Sequence, residues 1–399
     1  MNGKENRIIL IFILILFFVQ PSCQTSFMER TEIKDIEFIR VVGVDKSTHT
    51  DGNVRLIIAT QSVQGAGGSG TPKKESEILH SEGKTVFEAV RNFWNYMDKR
   101  PFWGHLEFLI IGEEAAKEGL LKYIDFFSRD PELRLNLTVF QVEGNSAEEV
   151  IKKANSPKKF VFEKLAGVVE NQWGQSVYNE VDLMEVMYIL DKDYLSLYLP
   201  SIRLQQLTEY DQEEEAAMDI VTGGFALFHG DMLGGYLDSE MGRGLNWLKN
   251  KVKSGSITVK SPEGNDVSLE IMRSKVKLKP KLVNEGLSVS VEVNIITSLA
   301  GLRSNEDLFC AETIEHLEKQ QEQYVREVGE MVINYAQRNG MDIINVGDAV
   351  WRKYPIQWED RFKENWREEF QDISFHIIVK SKIEKTYDIV QPNQSEKGN

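Results

Sequence analysis

Residues 224–255 read GFALFHGDMLGGYLDSEMGRGLNWLKNKVKSG, and they set the pattern for the whole chain. Two apolar runs, Gly223 to Phe228 and Met232 to Leu237, bracket His229-Gly230-Asp231, which predicts a β-hairpin turning at those three residues. From Gly242 to Trp247 a new segment begins and ends near Gly255. Gly224, Gly230, Asp231, Gly235 and Gly244 form the structural motif of this stretch, because glycine permits tight turns and close backbone approach. Arg243, Trp247 and Lys249 are candidate partner-binding residues, since Arg and Trp combine directional donors with large contact area. The alternative for Trp247 is a place in the core.

Working outward, Ile36 to Val44 and Val54 to Val63 are β-rich and flank the turn signal Asp51-Gly52. Gln64 to Glu75 reads as an exposed loop. Its glycines lack the Gly-Lys-Ser/Thr ending of a phosphate-binding loop. Thr85 with Glu88 predicts a helix through Met97, followed by a strand Leu106–Ile111, a helix Glu114–Phe127, a strand Leu135–Val142 and a helix from Ser146. Toward the C-terminus, Val289, Val291, Val293 and Ile295 alternate with Ser290, Glu292 and Asn294, as on a strand with one wet face. Val276 and Leu278 suggest its neighbour. Ser304 and Asp307 are expected to cap a long helix stopped at Asn339-Gly340, and Phe375, Ile377 and Val379 mark a last strand.

Composition narrows the functional classes. The 399 residues carry 62 Asp plus Glu against 47 Lys plus Arg, a net charge of -15, which speaks against nucleic acid. Two cysteines, Cys23 and Cys310, exclude a disulfide scaffold and a cysteine-built metal site. A buried apolar role is expected for Cys310. No two of the six histidines stand at metal-ligand spacing, no Gly-x-Ser-x-Gly elbow occurs, and adjacent pairs such as Glu113-Glu114 point apart on a helix. No catalytic residue, no metal and no cofactor is expected. His105 reads as a loop or pocket-edge residue, and Trp351, Tyr354, Trp358 and Trp366 as further surface candidates or as helix packing.

Lys4 and Arg7 precede an apolar run from Ile8 to Val19, the order of an export signal. Twelve apolar residues rise about 18 Å as a helix, short of a hydrocarbon core of roughly 30 Å. Cys23 after Ser22 resembles the processing site of bacterial lipoproteins, with Gln20 where an aliphatic residue is usual. Lipidation of Cys23 is the expectation; secretion without lipid and a retained short anchor are the alternatives. The organisation expected is a signal peptide 1–22, a lipid-anchored tether 23–34, an N-terminal α+β domain 35–200, a small middle β-rich domain 201–265, a C-terminal α+β domain 266–390 and a polar tail 391–399.

Several local patterns agree on one family. Cys23 followed by Glu29-Arg30 and Glu32-Ile33, then IRVVGVDKS, resembles its opening, with Gln24 in place of the usual tryptophan. GHLEFLIIGEEAAKEG at Gly104 to Gly119, continued by Arg129-Asp130-Pro131-Glu132 and Arg134, resembles its first-domain signature, and residues 224–255 with Arg243-Gly244-Leu245-x-Trp247 reproduce its hairpin pattern. The chain resembles the C subunits of bacterial spore nutrient-germinant receptors, the GerAC or Ger(x)C lipoproteins. That resemblance implies an α+β multidomain fold of three domains, each with a mixed or antiparallel β-sheet packed against helices. It also implies a lipid-anchored place on the outer face of the spore inner membrane beside integral A and B subunits, and a non-catalytic part in receptor assembly or signalling. Direct small-molecule binding is left open. The alternatives are an extracytoplasmic solute-binding lipoprotein and a cell-envelope hydrolase.

Overall fold

The computed structural model describes residues 35–64, 73–156, 159–206, 218–283, 286–302 and 310–384. Cys23 and its tether, Ser304, Asp307 and the polar tail lie outside the described residues.

Among the described residues ten strands build the first sheet: β1 (Ile36–Lys46), β2 (Val54–Gln64), β3 (Lys73–Glu75), β4 (Ile78–Gly83), β5 (Arg100–Phe102), β6 (Phe108–Ile111), β7 (Thr138–Val142), β8 (Tyr198–Gln206), β9 (Met218–His229) and β10 (Met232–Leu237). Their order is β10-β9-β8-β7-β6-β1-β2-β3, with β4 also on β2 and β5 also on β1. The interior pairs β1/β6, β6/β7 and β7/β8 are parallel, whereas both outer regions are antiparallel. β6 and β7 are buried at every residue, as parallel strands covered on both faces are. The period of two divides them cleanly. Leu109 and Ile111 join the core on one face, and Phe108 and Ile110 join a second core under the helices Ala147–Ala154 and Val161–Asn171.

The second sheet has four strands among the described residues, in the order β11 (Ser256–Lys260), β12 (Asp266–Val283), β13 (Gly286–Leu302) and β14 (Ser374–Ile383). The expected neighbours pair as Val276 with Val293 and Leu278 with Val291. Val289, Val291, Val293 and Ile295 are buried, while Ser290 and Glu292 are half-buried and Asn294 is exposed. The helix Ala311–Arg338 crosses the buried face, inserting Leu317, Val325, Val328, Val332 and Ala336. One apolar core runs without interruption from Ile39 in the first sheet to Ile383 in the second.

Four expectations are corrected. The α+β class holds, but among the described residues there are two sheets rather than one for each of three domains, and residues 201–265 have no sheet of their own. β8 to β10 extend the first sheet and β11 opens the second. Lys73–Glu75, read as loop, pairs as β3 with the end of β2. The single helix expected over Glu114–Phe127 is two, Glu113–Glu118 and Leu121–Arg129, broken at Gly119 with φ 124°. Cys310 is exposed rather than buried, standing at the N-cap of Ala311–Arg338 with its Sγ 2.9 Å from Thr313 Oγ1.

Candidate functional site

The hairpin β9–β10 turns at His229-Gly230-Asp231, with Gly230 left-handed at φ 59°. Asp231 there does more than close a turn. Its carbonyl accepts the Leu120 N–H at 2.8 Å and its carboxylate accepts the Leu121 N–H at 3.1 Å, capping the helix that Gly119 has just interrupted. A Cβ on Gly119 would lie 2.9 Å from the Asp231 carboxylate, so the last glycine of one signature and the aspartate of the other are fitted to each other. Gly224 is left-handed at φ 112°, and a Cβ there would fall onto the carbonyls of Leu237 and Asp238; one on Gly235 would fall 2.6 Å from the Tyr335 hydroxyl.

Asp238 caps the helix Ser239–Leu248 by accepting from the Met241 N–H at 2.9 Å. Gly244 lets this helix press against Ala311–Arg338, where a Cβ would stand 2.8 Å from both Val328 Cγ1 and Val332 Cγ2. That close approach swallows Trp247, which is 1% exposed and edge-on to Tyr324. Its indole therefore takes the core place given above as the alternative. Arg243 is half-buried and directs Nη1 to the Ser256 carbonyl at 3.0 Å and Nη2 to Gln175 Oε1 at 3.2 Å. Lys249 donates to Asn345 Oδ1 at 2.7 Å and to the Ile343 carbonyl at 3.3 Å, and lies 4.5 Å over the Tyr198 ring. Burial pulls its ammonium down to about 8, against the opposing pull of Glu185 and Asp342. The three residues thus lie along one helix and its C-cap but face different neighbours, and each ties that helix to surrounding chain.

The family-opening segment has the same character. Asp45 accepts the Ala147 N–H at 2.8 Å and the Glu148 N–H at 2.9 Å, anchoring the first turn of Ala147–Ala154 to β1. Burial pushes its carboxyl up to about 6. Sequence reading missed this residue; an Asp among the valines of a central strand was the available signal. Of the C-terminal aromatics, Trp358 and Trp366 are buried at 1% and 2% while Trp351 is exposed. His105 rests edge-on against Phe38 at the rim of a cleft beneath β6.

Among the described residues no group of His, Cys, Asp and Glu is placed to hold a metal ion, and no helix is long and apolar enough to cross a membrane. Fold and site together define a class: a two-sheet α+β body whose signature residues serve its own packing rather than bond-making chemistry. Comparison with known proteins gives the family. Residues 29–204 match the spore germination protein N-terminal domain, and residues 223–387 match the spore germination B3/GerAC-like C-terminal domain. The chain belongs to the GerAC spore germination protein family and is a non-catalytic component of that type. It is 24% identical to spore germination protein KC of Bacillus subtilis over 94% of this chain and 95% of that protein. It is also 24% identical to spore germination protein B3 of the same organism, covering 88% and 92% respectively. Among solved structures, GerBC superposes with a TM-score of 0.52 at 17% identity, covering 88% of this chain and 99% of that one, which supports the shared fold.

Proposed function

We propose that this chain is the lipid-tethered C subunit of a spore nutrient-germinant receptor, held on the outer face of the spore inner membrane through Cys23 and working through contact with integral A and B subunits. The observation that carries this reading is the pair of family matches, which together account for most of the chain beyond the export signal. The placement of the signature residues supports it. Gly235, Gly244 and Arg243 among them sit where the first sheet's hairpin and the following helix meet the helix Ala311–Arg338 and β11, as suits a subunit that transmits or organises contacts. Lipidation needs only a thiol at the processing site, and one acyl chain alone holds a protein marginally, so lasting retention calls for a diacyl anchor or for partners as well.

The test is co-purification from detergent-extracted membranes of dormant spores, comparing the wild type with Cys23→Ala. Wild type should bring down two integral membrane proteins, and Cys23→Ala should shift the chain toward the soluble fraction. Recovery of wild type in a soluble fraction without such partners defeats the reading. A solute-binding lipoprotein would instead bind an amino acid or sugar with neither partner present.

A further inference from the structure

Where the Ser239–Leu248 helix ends, a groove of about 880 Å³ opens between that end, β12 and the helix Val346–Lys353. Its charge is opposite to that of the molecule. Lys249, Lys251, Lys279, Arg352 and Lys353 line it, with Glu185 the lone carboxylate among the described lining residues, in a chain of net charge -15. Three of these cations are held by neutral acceptors. Lys249 is held by Asn345 and the Ile343 carbonyl, Lys353 donates to the Pro280 carbonyl at 2.7 Å, and Arg352 Nε donates to the Asp348 carbonyl at 3.0 Å. Such contacts aim a cation without cancelling its charge. Lys251 lies 3.8 Å from Glu185, and Lys279 pairs with Glu292 at 2.6 Å on the neighbouring strand.

Two further observations mark a built site rather than a solvated face. Lys249 is only partly accessible at the inner end of the groove. Among the described residues no carboxylate pairs with it directly, although Glu185, Asp342 and Asp348 attract it from farther off. A half-desolvated ammonium in that position costs stability unless an anion reaches it. The residue that aims it, Asn345, sits at φ 60°, and Asn250 across the groove sits at φ 56° with its Oδ1 accepting the Val276 N–H at 2.7 Å. These are two of the three non-glycine residues with positive φ among the described residues. Backbone held in this region persists where surrounding structure enforces it.

We propose that this groove binds a small polyanion, with its carboxylate or phosphate oxygens received by Lys249 at the inner end and by Lys279, Arg352 and Lys353 at the rim. A soluble oxyanion and an anionic lipid headgroup share this chemistry. The inference is independent of the receptor reading, since neither the membrane partners nor Cys23 enters it.

The experiment titrates citrate and inorganic pyrophosphate into the full chain in neutral detergent by calorimetry, at ionic strength matched with chloride. Parallel flotation assays use vesicles of phosphatidylglycerol and of phosphatidylcholine. The double variant Lys279→Glu/Lys353→Glu alters two exposed side chains and so leaves the core alone. Lys319→Glu/Lys363→Glu, at exposed positions elsewhere, controls for net charge. Saturable one-to-one binding of a soluble oxyanion, weakened about tenfold or more in the first double variant and within about threefold of wild type in the second, supports the proposal. Binding seen only with phosphatidylglycerol vesicles and lost in the first variant alone supports it with a lipid headgroup as the source. No saturable binding in any arm, or equal weakening by both double variants, overturns it.

Discussion

Gly244→Ala sets two physical effects against each other, and the geometry decides between them. In a helix interior, Gly to Ala normally stabilises by about 1 kcal/mol, because alanine loses less backbone entropy on folding. At Gly244 the new methyl would stand 2.8 Å from two valine methyls and 2.9 Å from the Val328 carbonyl of the facing helix. Side chains can rotate away from such a contact, but the carbonyl belongs to a hydrogen-bonded helix and moves only with it. Overpacking of this kind costs about 1–3 kcal/mol, so the net expectation is a loss of up to about 2 kcal/mol. Gly167 supplies the control. It lies inside the helix Val161–Asn171, where an added Cβ meets nothing within 4 Å, so Gly167→Ala should gain about 0.5–1 kcal/mol. Urea denaturation followed by far-UV circular dichroism, with unchanged slope, reads both as shifts of midpoint in opposite directions. Should Gly244→Ala unfold at the same or a higher midpoint than Gly167→Ala, the argument that this crossing is packed backbone against backbone is wrong.

Two further outcomes follow from the same geometry. Asp231→Ala removes the carboxylate that caps Leu121–Arg129 and should cost about 0.5–2 kcal/mol, whereas Asp231→Asn, which keeps an acceptor oxygen, should recover most of it; the same denaturation assay separates them. Lys249 contributes a pH dependence of calculable sign. Its folded value of about 8 lies below the ordinary 10.5, so between these the unfolded chain holds more protons and stability rises with pH. The rise attributable to this group is at most about 3 kcal/mol, less for the solvent contact it keeps. Midpoints measured from pH 7.5 to 10.5 should therefore climb more steeply in wild type than in Lys249→Met, and parallel profiles would refute the assignment.

What the sequence made legible was local. Strict alternation from Val289 to Ile295 and the Val276, Leu278 pair were enough to place β13 beside β12, because a period of two leaves little freedom where one face is buried. His229-Gly230-Asp231 announced its own turn. The choice of sheet was not legible, since β9 pairs with β8 through backbone groups that every residue carries. The break at Gly119 was hidden for a similar reason: it is required by Asp231, whose contact with Leu121 spans 110 residues. At the site, residue type identified Trp247 as a large contact surface without saying that Gly244 would bring a second helix over it. The groove was missed because its cations come from three separated stretches. The alternating lysines 275, 277, 279 and 281 in an otherwise acidic chain were the visible trace.

The ladder between β8 and β9 carries a consequence for anyone dividing this polypeptide. One family match ends at residue 204 and the next begins at 223, so a cut between them looks natural, yet it falls between two strands hydrogen-bonded from Tyr198–Leu227 to Gln206–Met218. Made alone, the first half would expose a raw edge ready to recruit any extended peptide, including another copy of itself. The second half would carry an orphan hairpin with no floor beneath it. Heredity can shuffle these halves as cassettes only when both sides of the seam travel together.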